Sequence, residues 1–212
     1  MLSPANSALS TLSSALRLHL GSGKQHLSGW INIDNQPLPG VDRVLDVTLG
    51  LPFEGVAFIF AEHFIEHLAY VDTLVLLREC RRVLRDDGVL RLSTPNLDWV
   101  WASHYGFDLA EAEQVKACFD LNRAFRGYGH AFLYNERTLE ATLRDAGFAA
   151  VVRCAYGESA HPELRGLERH EQSPDWGSMS HILIVEASGR GGKAPKELNA
   201  FREGFLRDIM LK

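Results

Sequence analysis

Two clusters of residues in this 212-residue chain have the types and spacing of chemistry. The first is Leu18-His19-Leu20-Gly21-Ser22-Gly23, followed by Gly29-Trp30-Ile31-Asn32-Ile33-Asp34. An apolar run enters a Gly-x-Gly turn, and a second apolar run ends on a carboxylate. Glycine lets backbone approach a ligand where a Cβ would clash. An acid at the tip of the neighbouring strand can accept both hydroxyls of a ribose. The competing reading is a plain connecting turn. A dinucleotide fingerprint has a third glycine where this chain has His26, and its acid lies at about twice the interval from the turn. Gly23-Lys24 runs into Gln25, so no P-loop cradles a triphosphate. What remains is a nucleoside without a pyrophosphate.

The second cluster is His63-Phe64-Ile65-Glu66-His67. On a continuous helix, H-x-x-E-H sets two imidazoles one turn apart beside a carboxylate, as in inverted zinc metallopeptidases. Here His63 stands one residue beyond the apolar run Phe58 to Ala61, at a strand end where a helix has scarcely begun, so no metal is expected. An imidazole with an ordinary pKa of about 6.5 can also accept a proton in catalysis. His63 and His130, the latter in Gly129-His130-Ala131-Phe132, are the candidate bases, ahead of His104 and His170. For each, a hydrogen-bonded structural histidine is the alternative.

In order along the chain, Leu18 to Asp34, Asp46-Val47, Leu51-Pro52-Phe53, Glu62 to Leu68 and Arg82 to Leu92 resemble the motifs of class I S-adenosylmethionine-dependent methyltransferases. The resemblance is nearest to a small bacterial "type 11"-like branch with a Leu-x-Leu-Gly-x-Gly and Gly-Trp-x-Asn-x-Asp signature. It runs from Arg17 to Ala187 and bears on the cofactor more than on the acceptor. It implies S-adenosylmethionine held by Gly21, Ser22, Gly23, Asp34, Asp46, Val47 and Glu62. Glu62 and His63 would face cofactor and acceptor, while Glu66 and His67 would start a helix. Asp46 could equally cap the turn into Leu49-Gly50. Two features depart from the class: His19 stands where an acid is common, and Gly23 to Ile31 is too short for the usual crossover helix.

The resemblance implies methyl transfer to a small-molecule or sugar-containing acceptor. Such transfer is an in-line displacement, so the protein's tasks are alignment and exclusion of water. A protein that binds S-adenosylmethionine or S-adenosylhomocysteine without turnover is the alternative, supported by His19 and the short crossover. A zinc metallopeptidase is the remote one.

These residues need a scaffold. Arg17 to Leu20, Ile31 to Asp34, Arg43 to Val47, Val56 to Ala61 and Val89 to Thr94 are short apolar runs, suited to strands buried on both faces. Ser3 to Ala15 reads as a weak helix and Val71 to Leu84 as an amphipathic one, stopped by Asp86-Asp87-Gly88. The expected fold is a Rossmann-like α/β sheet, mostly parallel, with an antiparallel terminal hairpin from Phe148 to Ala155 and His181 to Ala187. Residues 97–128 form an expected helical lid carrying Trp99, Trp101, His104 and Tyr105, which with Tyr134 are the candidate acceptor contacts. A surface hairpin with packed aromatics is the alternative reading of the lid. Asn135 caps a helix to Ala146. Tyr156 to Met179 is a long polar connection with His161, Glu168, His170 and Trp176; loops of this length are functional or disordered. Residues 1–187 make the expected domain, and 188–212 a linker with a C-terminal amphipathic helix. That helix aligns Leu198, Phe201, Phe205 and Ile209, to pack on its own domain or on a second copy in a homodimer.

Composition sets the limits. Apolar residues make up 46% of the chain, and 22 Lys and Arg against 27 Asp and Glu give a net charge of −5 with no basic block. The electrostatic footprint of a nucleic-acid binder is missing. Cys80, Cys118 and Cys154 are odd in number and widely spaced, which argues against a disulfide framework or zinc knuckle. No run approaches the ~20 apolar residues of a membrane span, and no secretory signal is read at the N-terminus. The expected setting is the cytoplasm.

Overall fold

The computed structural model describes residues 15–105, 109–170 and 173–210; the helix expected at Ser3 to Ala15 lies almost wholly outside them. Strands β1 (Arg17–Leu20), β2 (Ile31–Asp34), β3 (Arg43–Val44), β4 (Val56–Glu62), β5 (Leu84–Pro95), β6 (Ala150–Arg153) and β7 (Ile182–Ser188) form one sheet in the order β3-β2-β1-β4-β5-β7-β6. β1 through β5 pair in parallel, and β7 runs antiparallel to both β5 and β6. This is the expected Rossmann-like sheet with its terminal hairpin. The register pairs Leu20 with both Ile33 and Ala61, so Gly21, Asp34 and Glu62 follow at one C-terminal edge. Ligands of open α/β sheets sit at that edge.

A parallel sheet must be covered on both faces, and here the two covers differ in kind. On one face, Leu18, Leu20, Ile59, Leu90 and Leu92 pack with Leu74 and Leu77 of α1 (Tyr70–Val83) and later elements. On the other, Phe58, Phe60 and Val89 meet Leu27, Trp30, Leu164 and Leu167. Among the described residues, the second cover is built from turns and from the long connection after β6, with its 3₁₀ turn Pro162–Leu164. Between β1 and β2 the chain makes only turns, as the short interval required. Part of the missing crossover helix's role falls to the long connection after β6.

Two expectations are corrected. α1 ends at Val83 without a glycine stop: Leu84 already has extended geometry (φ −66°, ψ 135°) and β5 begins there. Gly88 lies inside β5, where an added Cβ would come within 2.8 Å of the Val56 carbonyl oxygen. Its lack of a side chain permits close strand approach beside the register shift between Val56 and Phe58. The run from Arg43 to Val47 is a strand only over its first two residues, because Asp46 Oδ1 accepts from Thr48 N and Oγ1 at 3.0 and 2.6 Å and caps a 3₁₀ turn at Val47–Leu49.

After β5, Asn96 caps α2 (Leu97–His104), and α3 (Glu111–Asn122) runs into a π turn, Arg123–Gly127. Asn135 caps α4 (Glu136–Asp145), its Oδ1 accepting from Thr138 N at 2.9 Å. The C-terminal helix α5 (Lys196–Met210) lies against its own chain. Phe205 packs edge-on to Phe132 at 5.5 Å and Arg202 pairs with Asp145 at 2.6 Å, while Phe201 remains 73% exposed. Among the described residues, no helix is long and apolar enough to cross a membrane.

Candidate active site

The glycine turn and the strand-end acid are in direct contact. Gly21 and Gly23 both have positive φ (63° and 52°), which glycine adopts without strain. Ser22 N donates to Ile33 O at 3.0 Å, and Gly23 N donates to Asp34 Oδ2 at 2.8 Å. Asp34 Oδ1 accepts from Gln36 N at 2.9 Å. The residues fit a nucleoside: the space a Cβ would take on Gly23 is open, Ser22 Oγ is buried without a hydrogen bond, and the Asp34 carboxylate is half-buried beside them. Phe64 closes the other side, its ring within 2.4 Å of where a Cβ on Gly21 would stand.

His19 does not take up the part of a missing acid. It is buried, its Nδ1 is 3.1 Å from Asn32 Oδ1, and its ring lies 5.4 Å from that of Phe60. Burial holds its pKa below the ordinary histidine value, against smaller upward effects of Asn32 and Glu62.

The Glu62 carboxylate is held by the long connection. It accepts from the backbone amides of Arg169 (2.8 and 3.1 Å) and His170 (3.1 Å). The residue before that pair, Glu168, is anchored below the surface: Arg91 Nε donates to Glu168 Oε1, and Arg91 Nη1 to Glu186 Oε1, both at 2.6 Å. In the sequence, Glu168 and His170 stand in a long polar connection in which nothing local gives Glu168 a role. The signal was Arg91 itself, a lone cation in the apolar run Val89 to Leu92 of a two-sided strand, where a charge requires counter-charges.

Beyond Glu62 the sheet edge opens into a cavity of about 640 Å³, and six of the nine histidines line it: His63, His67, His104, His130, His170 and His181. Pro95, Trp99, Val100, Asp120 and Tyr128 are among the other walls. His63 has φ 46°, an unusual conformation for a residue with a side chain. Its Nδ1 is 3.2 Å from Glu66 Oε1, its Nε2 is buried without a hydrogen bond, and its ring stacks on His170 at 4.1 Å. Trp99 lies 4.4 Å from His181 ring to ring, and its indole N–H donates to Pro174 O at 3.0 Å. Burial lowers the His181 pKa, with smaller downward effects of His63 and His104. His181 Nδ1 accepts from Ser173 N, as the neutral ring requires.

The fold therefore brings His63, His130, Trp99 and His104 together around one cavity. It does not bring Trp101 and Tyr105, which stack on each other at 4.8 Å outside the cavity wall, with Trp101 53% exposed. Tyr134 is corrected from acceptor contact to core residue. It is 0% exposed, packed between Tyr70 and Phe132, and burial raises its phenol pKa. Asp46 points its carboxylate at Thr48, and Val47 is buried. His67, His170 and His181 join the cavity without having been singled out as its primary histidines, because they lie on three segments that only the fold assembles.

Residues 20–152 match a family described as a methyltransferase domain, and the chain belongs to that family. With the observed sheet order, this makes it a class I methyltransferase domain. No curated protein matches the chain in sequence. Among solved structures, the methyltransferase SibL in its apo form is 14% identical with a TM-score of 0.50, over 83% of this chain and 50% of that one. A possible exported protein from Bordetella parapertussis is 13% identical with a TM-score of 0.53, over 84% and 62%. LepI in complex with SAM is 12% identical with a TM-score of 0.47, over 86% and 45%. These likenesses concern the fold, and the chain spans about half the length of the structures it matches.

Proposed function

We propose that this chain transfers a methyl group from S-adenosylmethionine to a small-molecule or sugar-containing acceptor. The observation that carries the reading is the contact between Gly23 N and the Asp34 carboxylate at 2.8 Å, on the same sheet edge as the histidine-lined cavity. In this reading the Gly21-Ser22-Gly23 turn carries the donor, Asp34 accepts from its ribose hydroxyls, Asp46 and Val47 flank its adenine, and Glu62 lies toward its amino-acid end. When bound, the donor supplies a methyl activated by a positively charged sulfur.

The remaining work belongs to the chain. The acceptor sits between His63 and a cover formed by Trp99 and His104 together with His130, which exclude water and hold it in line. His63 Nε2 takes the acceptor's proton, while Glu66 at Nδ1 positions the ring and stabilises the imidazolium that forms. His130 is the second candidate for that proton. Residues 1–187 form the catalytic unit, with 188–212 as linker and helix.

Calorimetry with S-adenosylmethionine and S-adenosylhomocysteine tests the reading. Both should bind, and Asp34→Ala should weaken them by roughly 1.5–3 kcal/mol while leaving the fold intact. Lack of binding by either ligand at millimolar concentration would overturn it.

A further inference from the structure

Glu66, His67 and His130 bring a carboxylate oxygen and two imidazole nitrogens within 4.8 Å of one another, although His130 is remote from the other two in sequence. The segments are stitched together by backbone: Ala131 N and Phe132 N both donate to Glu66 O, at 2.7 and 3.1 Å. His130 Nδ1 is 2.6 Å from the carbonyl of Ala124, within the π turn Arg123–Gly127. A carbonyl can only accept, so Nδ1 carries the hydrogen and Nε2 keeps its lone pair. That is the arrangement by which histidine ligands of metals are oriented. Single π turns recur at functional sites.

Glu66 supplies an independent observation. Its side chain is wholly buried; Oε2 accepts from Thr94 Oγ1 at 2.9 Å, and Oε1 has no hydrogen bond, although His63 Nδ1 stands 3.2 Å from it. A buried carboxylate is costly unless it is paired or coordinates a cation. His67 and His130 both line the cavity, which gives an ion a path inward. We propose that Glu66, His67 and His130 hold a zinc-type divalent transition metal, with its open coordination positions facing the cavity. Two imidazoles and one carboxylate suit zinc and its neighbours and leave room for further ligands, whereas calcium and magnesium take oxygen donors. Ligand atoms around tetrahedral zinc stand roughly 3.3–3.5 Å apart given Zn–N near 2.0–2.1 Å, so binding would draw the three inward.

This departs from the expectation that the chain binds no metal, and for a reason visible in the fold. H-x-x-E-H does not form a peptidase helix here, since only a 3₁₀ turn covers Ile65–His67 and His63 lies before it. The third ligand comes from the segment after the π turn instead. His63 keeps its own contact with Glu66, because a carboxylate offers about four lone-pair positions.

The test uses tag-free protein stripped with chelator and dialysed, titrated with Zn²⁺ by calorimetry and with Co²⁺ by visible absorption. One ion should bind per chain, with ligand-field bands for Co²⁺ that Zn²⁺ abolishes and excess Mg²⁺ does not. His67→Ala and His130→Ala, each shown folded by circular dichroism, should each weaken binding by about tenfold or more, and His26→Ala should leave it unchanged. Absence of Zn²⁺ heat and Co²⁺ bands in the native chain would overturn the proposal, as would binding undiminished in both His67→Ala and His130→Ala. Because the readout is the metal itself, failure here would leave the binding of S-adenosylmethionine to be decided by its own titration.

Discussion

Arg91 donates to Glu168 at 2.6 Å across the sheet face, and neither side chain reaches solvent. The pair joins the middle of β5 to the long connection after β6. The amides of Arg169 and His170, the next two residues, grip Glu62 at the sheet edge. A core charge thus sets the position of a loop at the candidate site, and His170 is placed against His63 by the same anchor.

Breaking that anchor on one side should be costly. Glu168→Ala leaves a buried guanidinium with one carboxylate, and removal of one partner from a buried pair typically costs about 3–5 kcal/mol. Urea denaturation should show that loss. Glu168→Gln, which keeps a hydrogen-bond acceptor, should cost less. Equal midpoints for native protein and Glu168→Ala would show that the pair does not hold the loop.

Loss of a general base usually lowers the rate about 10²–10⁴-fold. With an acceptor in hand, His63→Ala should show a fall in kcat of that order and keep its affinity for S-adenosylmethionine within about threefold, since its ring is assigned to the acceptor side. Glu66→Gln should give a smaller fall, as expected of a positioning residue. If His63→Ala turns over at the native rate, proton removal does not pass through this ring.

Stability should decline in mild acid. Burial lowers the pKa of His19 and of His181 below the ordinary value. The unfolded chain therefore takes up protons first as pH falls below about 6.5, and stability rises with pH wherever the unfolded state binds more protons. The contribution of the two neutral rings is complete above that pH and is lost as pH falls toward their folded pKa values. Urea midpoints measured from neutral pH downward should fall over this window, and the slope should be shallower in His19→Gln. An unchanged slope would show that His19 is protonated alike in both states.

The C-terminal helix should stabilise its own domain. Leu198, Phe201 and Phe205 meet Tyr70, Phe132 and Thr138 around a shared groove. Truncation after Lys193 keeps the Arg190–Asp86 pair and strips that groove. It should reduce stability by roughly 1–3 kcal/mol, the scale of burying one large apolar side chain. An unchanged melting temperature would show the helix to be idle, and a change of mass in light scattering would reveal a contact between copies instead.

The sequence by itself determined where most of the strands fall, the glycine turn and the strand-end acid. Each is encoded locally: Leu18 to Leu20 and Ile31 to Ile33 are apolar runs of strand length, and only glycine sits easily at the φ of 63° found at position 21. The short interval from Gly23 to Ile31 likewise foretold the missing crossover helix. The tertiary structure alone decided which histidines share a cavity, because His63, His104, His130, His170 and His181 lie on five segments with no common period. It also decided that Tyr134 is core and that Trp101 faces away, since helix and loop orientation depend on packing against distant residues. Arg91 shows the boundary between the two. Its presence in an apolar strand announced that counter-charges must exist, but Glu168 and Glu186 could be named only when folding brought them across the sheet, for burial in a low-dielectric interior makes a partner obligatory without specifying its position in the chain.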